Sequence, residues 1–88
     1  GLSFNKYTAP FDLDLSSDQS RIAICGSDST ARIIDLHSGQ TLASIKNKET
    51  WFYCLSFFKH DPNQLALGSF NNKVYTWDTH SQNLNLRG

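Results

Sequence analysis

The side chains best suited to chemistry are three histidines (His37, His60 and His80), two cysteines (Cys25 and Cys54) and the close carboxylate pair Asp12 and Asp14. A metal centre needs His, Cys or carboxylate ligands that converge. No two of these histidines stand at ligand spacing from each other or from a cysteine. They read as solvated turn residues, and no metal is expected. Asp12 and Asp14 lie two apart in the alternating run Phe11-Asp12-Leu13-Asp14-Leu15, so they share one face of a strand. Hydrolytic carboxylates usually face each other across a cleft, whereas neighbours on an outer face are solvated. The sequence carries no nucleophile elbow, glycine-rich phosphate loop or Cys/His dyad. Catalysis is therefore not expected, and no cofactor is implied. Cys25 and Cys54 lack CxxC spacing and are too few for a disulfide framework. Each sits in an apolar run, and both read as buried free thiols of a reducing compartment.

The surrounding chain is short. Its 88 residues allow one small domain at most, and 39% hydrophobic with 12% aromatic residues is enough for a packed core. Eight basic and eight acidic residues cancel to zero formal charge, which argues against a nucleic-acid partner or a polybasic membrane anchor. Apolar runs reach only four or five residues in length, too short to span a bilayer. No basic-then-apolar leader is visible, and the location expected is intracellular. The first residue is Gly1 rather than Met, as expected of a trimmed chain or an excised segment.

The elements that must position these residues are strands. Residues 2–8 form a strand-like piece closed by Ala9-Pro10, and residues 11–15 alternate strictly. Residues 16–20 are turn chemistry, residues 21–25 a second strand, and residues 31–35 a third after the turn Gly26-Ser27-Asp28-Ser29. His37-Ser38-Gly39 turns into a fourth strand over residues 40–46. The pattern then recurs: a strand over 51–58, a loop over 59–63, strands over 64–69 and 73–78 around Asn71-Asn72, and a last strand over 84–86. Sliding the chain on itself by about 43 residues superposes Ile22-Ala23-Ile24 on Leu65-Ala66-Leu67 and Asp35 on Asp78. The same shift puts His37 on His80, so these two belong to separate units and need not converge. Asp35 and Asp78 are expected to cap turns by accepting backbone N–H bonds.

A period in the low forties, four short strands per unit, and a strand ending on Trp77-Asp78 resemble WD-repeat β-propeller proteins. The resemblance implies an all-β fold: two four-stranded antiparallel blades, part of a larger closed propeller. Residues 1–9 would be the outer strand of a preceding blade, residues 10–47 the first blade and residues 48–88 the second. The family's internal hydrogen-bond tetrad (His, Ser or Thr, Asp, Trp) is only partly present. The first unit keeps Asp28 but has Ile34 at the Trp position; the second keeps Ser69 and Trp77 but has Asn71 for the Asp. Asn47-Lys48 stands in place of the family's Gly-His pair.

Function is implied in outline. In this family the start of the inner strand and the residue before the second turn line the upper rim. Those positions are Ala9, Phe11 and Ser27 in the first unit, and Trp51, Tyr53 and Phe70 in the second. Trp51, Tyr53, Phe70 and Phe11 are thus the candidate partner-binding residues; alternatively, Trp51 and Tyr53 pack between neighbouring blades. The reading that follows is a non-catalytic protein–protein interaction scaffold whose partners are other proteins. Neighbouring blades would come from the same longer chain or from other chains, because two blades leave sheet faces uncovered. The alternative is a short module that self-assembles into a closed propeller and binds a peptide or carbohydrate at its rim.

Overall fold

Alternating apolar residues, punctuated by Asp, Asn, Ser and Gly turns, resolve into eight strands in the computed structural model, which describes residues 9–87. The first sheet contains β1 (Pro10–Leu15), β2 (Arg21–Gly26), β3 (Thr30–Asp35) and β4 (Thr41–Lys46). The second contains β5 (Phe52–Phe58), β6 (Asp61–Ser69), β7 (Val74–Asp78) and β8 (Asn83–Leu86). Each is an antiparallel meander whose spatial order is its chain order. The fold is all-β, two four-stranded blades. The strand expected within residues 2–8 lies outside the described residues.

The turns show the repeat at atomic level. Ser29 and Asn72 both take a left-handed backbone conformation, at φ 66° and 65°, and so do Gly39 and Gln82, at 75° and 60°. Each pair stands one repeat apart. Only Asn72 and Gly39 are residue types that adopt this region cheaply. Asp35 Oδ1 accepts the N–H groups of His37 (2.8 Å) and Ser38 (3.0 Å), and Asp78 Oδ1 accepts those of His80 (3.0 Å) and Ser81 (3.3 Å). The Ser38 and His37 amides hold the Asp35 carboxyl below the usual carboxylate range. In the β1–β2 turn, hydroxyls of Ser16 and Ser20 bring Asp18 down to about 2.

Residues 59–63 do not form the expected loop. Only Lys59 and His60 turn; Asp61 already pairs with Phe58, and β6 begins there with an irregular register. The backbone of Asn63 accounts for this. Its carbonyl accepts both the amide (2.7 Å) and the hydroxyl (3.0 Å) of Thr79, which ties the segment to the end of β7.

Strand alternation gives each sheet two faces. The face of the first sheet that meets the second is built from small residues, Ala23, Cys25, Ala31 and Ala43, with Ile33. Against it pack Phe52, Leu55, Leu65, Leu67 and Trp77, large side chains that fill the space the small ones leave. Trp77 is 0% exposed, and its indole N–H has no hydrogen-bond partner. Ile22, Ile24 and Ile34 form a separate cluster on the opposite face of the first sheet.

Asp12 and Asp14 overturn the expectation that they are solvated. The alternation of β1 is as read, but its carboxylate face is turned toward the second blade. Asp12 Oδ2 accepts the Leu55 N–H at 3.0 Å, and Asp14 Oδ2 accepts the Phe57 N–H at 2.8 Å. The face carrying Phe11, Leu13 and Leu15 is the exposed one, with Leu13 58% accessible. The physical reason lies in β5, whose outward amides need acceptors once the blades close over them. Ala23 and Cys25, opposite Asp14 and Asp12 in the sheet, leave room for the carboxylates. Arg21 Nη1 to Asn63 Oδ1 (2.8 Å) and Ser17 Oγ to the Lys59 carbonyl (3.0 Å) add further cross-links.

The two thiols also differ. Both are free, but Cys25 is buried whereas Cys54 is only half-buried, because it faces away from the blade interface opposite Gly68. Burial, with Asp12 close by, pushes the Cys25 thiol up to about 11, so it stays protonated.

Trp77 should dominate the packing of the second blade. Trp77→Ala should cost about 3–5 kcal/mol in urea unfolding; a nearly unchanged midpoint would mean that the blade does not close over this residue.

Candidate functional site

The four aromatic residues singled out from the sequence are brought together by strand starts and turn ends. Phe11 enters β1, Trp51 immediately precedes β5, Tyr53 lies one residue into β5, and Phe70 directly follows β6. A backbone hydrogen bond from Phe70 N–H to the Trp51 carbonyl, 3.1 Å, closes the top of the second blade. The first blade is closed by the equivalent bond from Ser27 N–H to the Ala9 carbonyl, 2.8 Å. Ala9 and Ser27 carry no large side chain, so the first blade contributes a single ring.

The ring centroids of Phe11 and Trp51 lie 5.4 Å apart, those of Phe11 and Phe70 5.6 Å, and those of Trp51 and Phe70 5.7 Å. Tyr53 adds a fourth ring, 5.2 Å from Phe70. Tilted and edge-on packing at these distances is favourable beyond the area it buries. All four side chains nonetheless stay exposed, from 37% for Phe11 to 52% for Phe70. They form one apolar surface that crosses the boundary between the blades.

Beside the cluster, Gly68 leaves space for the Cys54 thiol. A Cβ there would fall 2.5 Å from Cys54 Sγ and 3.4 Å from the Tyr53 ring. A larger residue would first collide with the Cys54 thiol, whereas the tyrosine ring stands at ordinary contact distance.

Asn47, which stands where the resemblance implies a Gly-His pair, holds the two blades together beside the cluster. Its N–H donates to the Ser29 carbonyl of the first blade at 2.7 Å. Its side-chain amide donates to Ser69 Oγ of the second at 2.9 Å. Its carbonyl oxygen Oδ1 accepts the amides of Glu49 (3.0 Å) and Thr50 (3.3 Å). Ser69 passes the chain on to the Trp51 carbonyl at 3.4 Å. A buried asparagine with its amide satisfied on both sides is a specific joint. Its position was visible in the sequence only as a departure from a pattern; the signal was its place one residue past β4.

The charges beside the cluster are already engaged. Glu49 accepts from Lys73 Nζ (3.0 Å) and from Asn71 Nδ2 (2.6 Å), and it raises the Lys73 ammonium above its ordinary value. Asp28 pairs with Arg32 and also accepts the Thr30 amide at 3.1 Å. Asp28 and Asn71, at the tetrad's acidic position, are therefore spent locally, and Ser69 is bound by Asn47. His37, His60 and His80 are exposed in separate turns. Among the described residues no group of three or more His, Cys, Asp or Glu is placed to hold a metal ion. No helix among them is long and apolar enough to cross a membrane.

No protein-family model matches the chain, and no curated protein matches it in sequence. Solved structures do. The structure of U3-55K superposes with a TM-score of 0.79 at 18% identity, over 92% of this chain and 26% of that one. The crystal structure of the RRP9 WD40 repeats gives the same TM-score at 19% identity, over the same shares. The fold is thus that of WD40 propeller blades, and the chain spans about a quarter of the length of these structures.

Replacing Asn47 with Ala removes the donor to Ser69 Oγ and the acceptor of the Glu49 and Thr50 amides near the blade junction. A loss of about 1–3 kcal/mol is expected. A double-mutant cycle with Ser69→Ala should show coupling between the two sites; strict additivity would mean that the 2.9 Å bond contributes nothing to stability.

Proposed function

We propose that this chain is a non-catalytic protein-interaction platform made of two WD40 blades, with Phe11, Trp51, Tyr53 and Phe70 as its contact residues. The observation that carries the reading is the exposed four-ring cluster. A continuous apolar surface of this kind is costly to leave in water, and aromatic anchors of this type dominate protein–protein contacts. The rings hold one another in place before any partner arrives, so little side-chain freedom remains to be lost on binding.

The partners are other proteins, and the setting is intracellular, in keeping with two free thiols. Further blades, from the same longer chain or from other chains, cover the two outward sheet faces. One presents Leu13 and Leu15, the other Val74, all of them exposed. A propeller closes with roughly four to eight blades, so this chain supplies part of a ring.

Photo-crosslinking from benzoylphenylalanine in place of Phe70 should capture a protein partner, whereas the same probe in place of the exposed Leu36 should not. Phe70→Ala should then weaken that partner's binding by more than about 1 kcal/mol in calorimetry, with the unfolding midpoint nearly unchanged. Loss of folding in proportion to loss of binding would instead make these rings part of the fold.

A further inference from the structure

A second feature lies on the outer side of the blade junction and shares no residue with the aromatic cluster. Contact between the blades is concentrated where β1 and β2 meet β5, and the outer strands fan apart. The fan leaves a cleft of about 340 Å³ between β4 of the first blade and the β7–β8 pair of the second. Its apolar walls are Ile45, Tyr75 and Leu84, each half-buried against the common core. Tyr75 packs edge-on against Phe52, at 5.9 Å between ring centroids.

The charges at the mouth are unequal. Lys46 and Lys48 are both exposed there, and neither makes a side-chain hydrogen bond or ion pair among the described residues. The acid beside them, Glu49, is held by Lys73 and Asn71. Two lysines without a side-chain partner among the described residues thus line the mouth of an apolar slot, in a chain whose formal charge is zero.

We infer that this cleft binds an acidic peptide segment carrying a bulky apolar side chain. The apolar side chain enters between Ile45, Tyr75 and Leu84, and carboxylates next to it meet Lys46 and Lys48. Its volume suits a small number of side chains. Apolar burial supplies affinity, while the two lysines set the orientation and favour acidic over basic segments. A nucleic acid fits less well, because tracking a phosphate backbone takes an array of cations rather than two beside an apolar wall.

The test is selection of a phage-displayed library of random dodecapeptides on the immobilised chain, followed by titration of the enriched peptides. Peptides with Asp or Glu next to Leu, Ile, Phe or Trp should be enriched. Their affinity should fall about tenfold or more on the variant Lys46→Glu with Lys48→Glu, and should not change on Phe70→Ala. Both lysines are exposed, and an unchanged urea midpoint confirms that the charge-reversed variant is folded. Equal binding to that variant would overturn the inference. So would enrichment of peptides without acids, no enrichment at all, or retention of a thymidine oligonucleotide or decanoate at the two lysines with no peptide selected. Peptides whose binding depends on Phe70 and not on the lysines would overturn it too, and would leave the aromatic cluster as the contact site.

Discussion

Two hydrogen bonds set the position of one blade on the other: Leu55 N–H to Asp12 and Phe57 N–H to Asp14. An inner strand at a blade junction has every second amide turned away from its own sheet, and a buried amide without an acceptor is costly. The carboxylates of β1 meet that need, and their spacing of two residues matches that of the amides they serve. A shift of the blades by one residue would point both carboxylates at carbonyls. Register between the sheets is therefore specified as sharply as register within them. Phe11 adjoins Asp12, and Tyr53 stands two residues before Leu55. The same pair of bonds thus places the ring from the first blade against the rings of the second.

Packing follows from the register. Small residues on one face receive large residues from the next, with Ala23, Cys25 and Ala43 against Leu55, Leu65 and Trp77. The outward face of the first blade repeats the large pattern with Ile22, Ile24 and Ile34, one repeat before Leu65, Leu67 and Trp77. The outward face of the second repeats the small one with Ala66 and Gly68, one repeat after Ala23 and Cys25. A chain of such units stacks in one direction only, large face on small face, which is how a repeat architecture propagates. Asn47 secures the link where the chain passes from blade to blade. Its backbone N–H binds the Ser29 carbonyl of the first blade, and its side-chain amide binds Ser69 of the second.

Much of the architecture was legible in the sequence, because it rests on local rules. The turns around Asp35 and Asp78, the Asn71-Asn72 turn and the period of about 43 residues are local facts that need no knowledge of packing. The four aromatic residues could be named because the resemblance to WD-repeat proteins implies which positions line the rim. The faces of β1 were not legible. Alternation says that Asp12 and Asp14 share a face, but not which face a neighbour covers. Residues 61–63 resemble a loop in sequence because Pro and Asn favour turns, yet the Asn63 carbonyl is claimed by Thr79, sixteen residues on. In sequence Asn47 is only a departure from a motif; its role rests on Ser29 and Ser69, which are far from it along the chain. Substitutions at Ile34, Asn71 and Asn47 remove the residues that mark the repeat most plainly, yet the blade geometry persists.

The register claim is tested most directly by amide hydrogen exchange at Leu55 and Phe57, followed by NMR in the native chain and in the variant Asp12→Ala with Asp14→Ala. Both amides should be protected in the native chain. In the variant they should exchange at least about tenfold faster, while amides within the β6–β7 ladder keep their protection. Rapid exchange of Leu55 and Phe57 in the native chain, or protection that survives removal of both carboxylates, would contradict it.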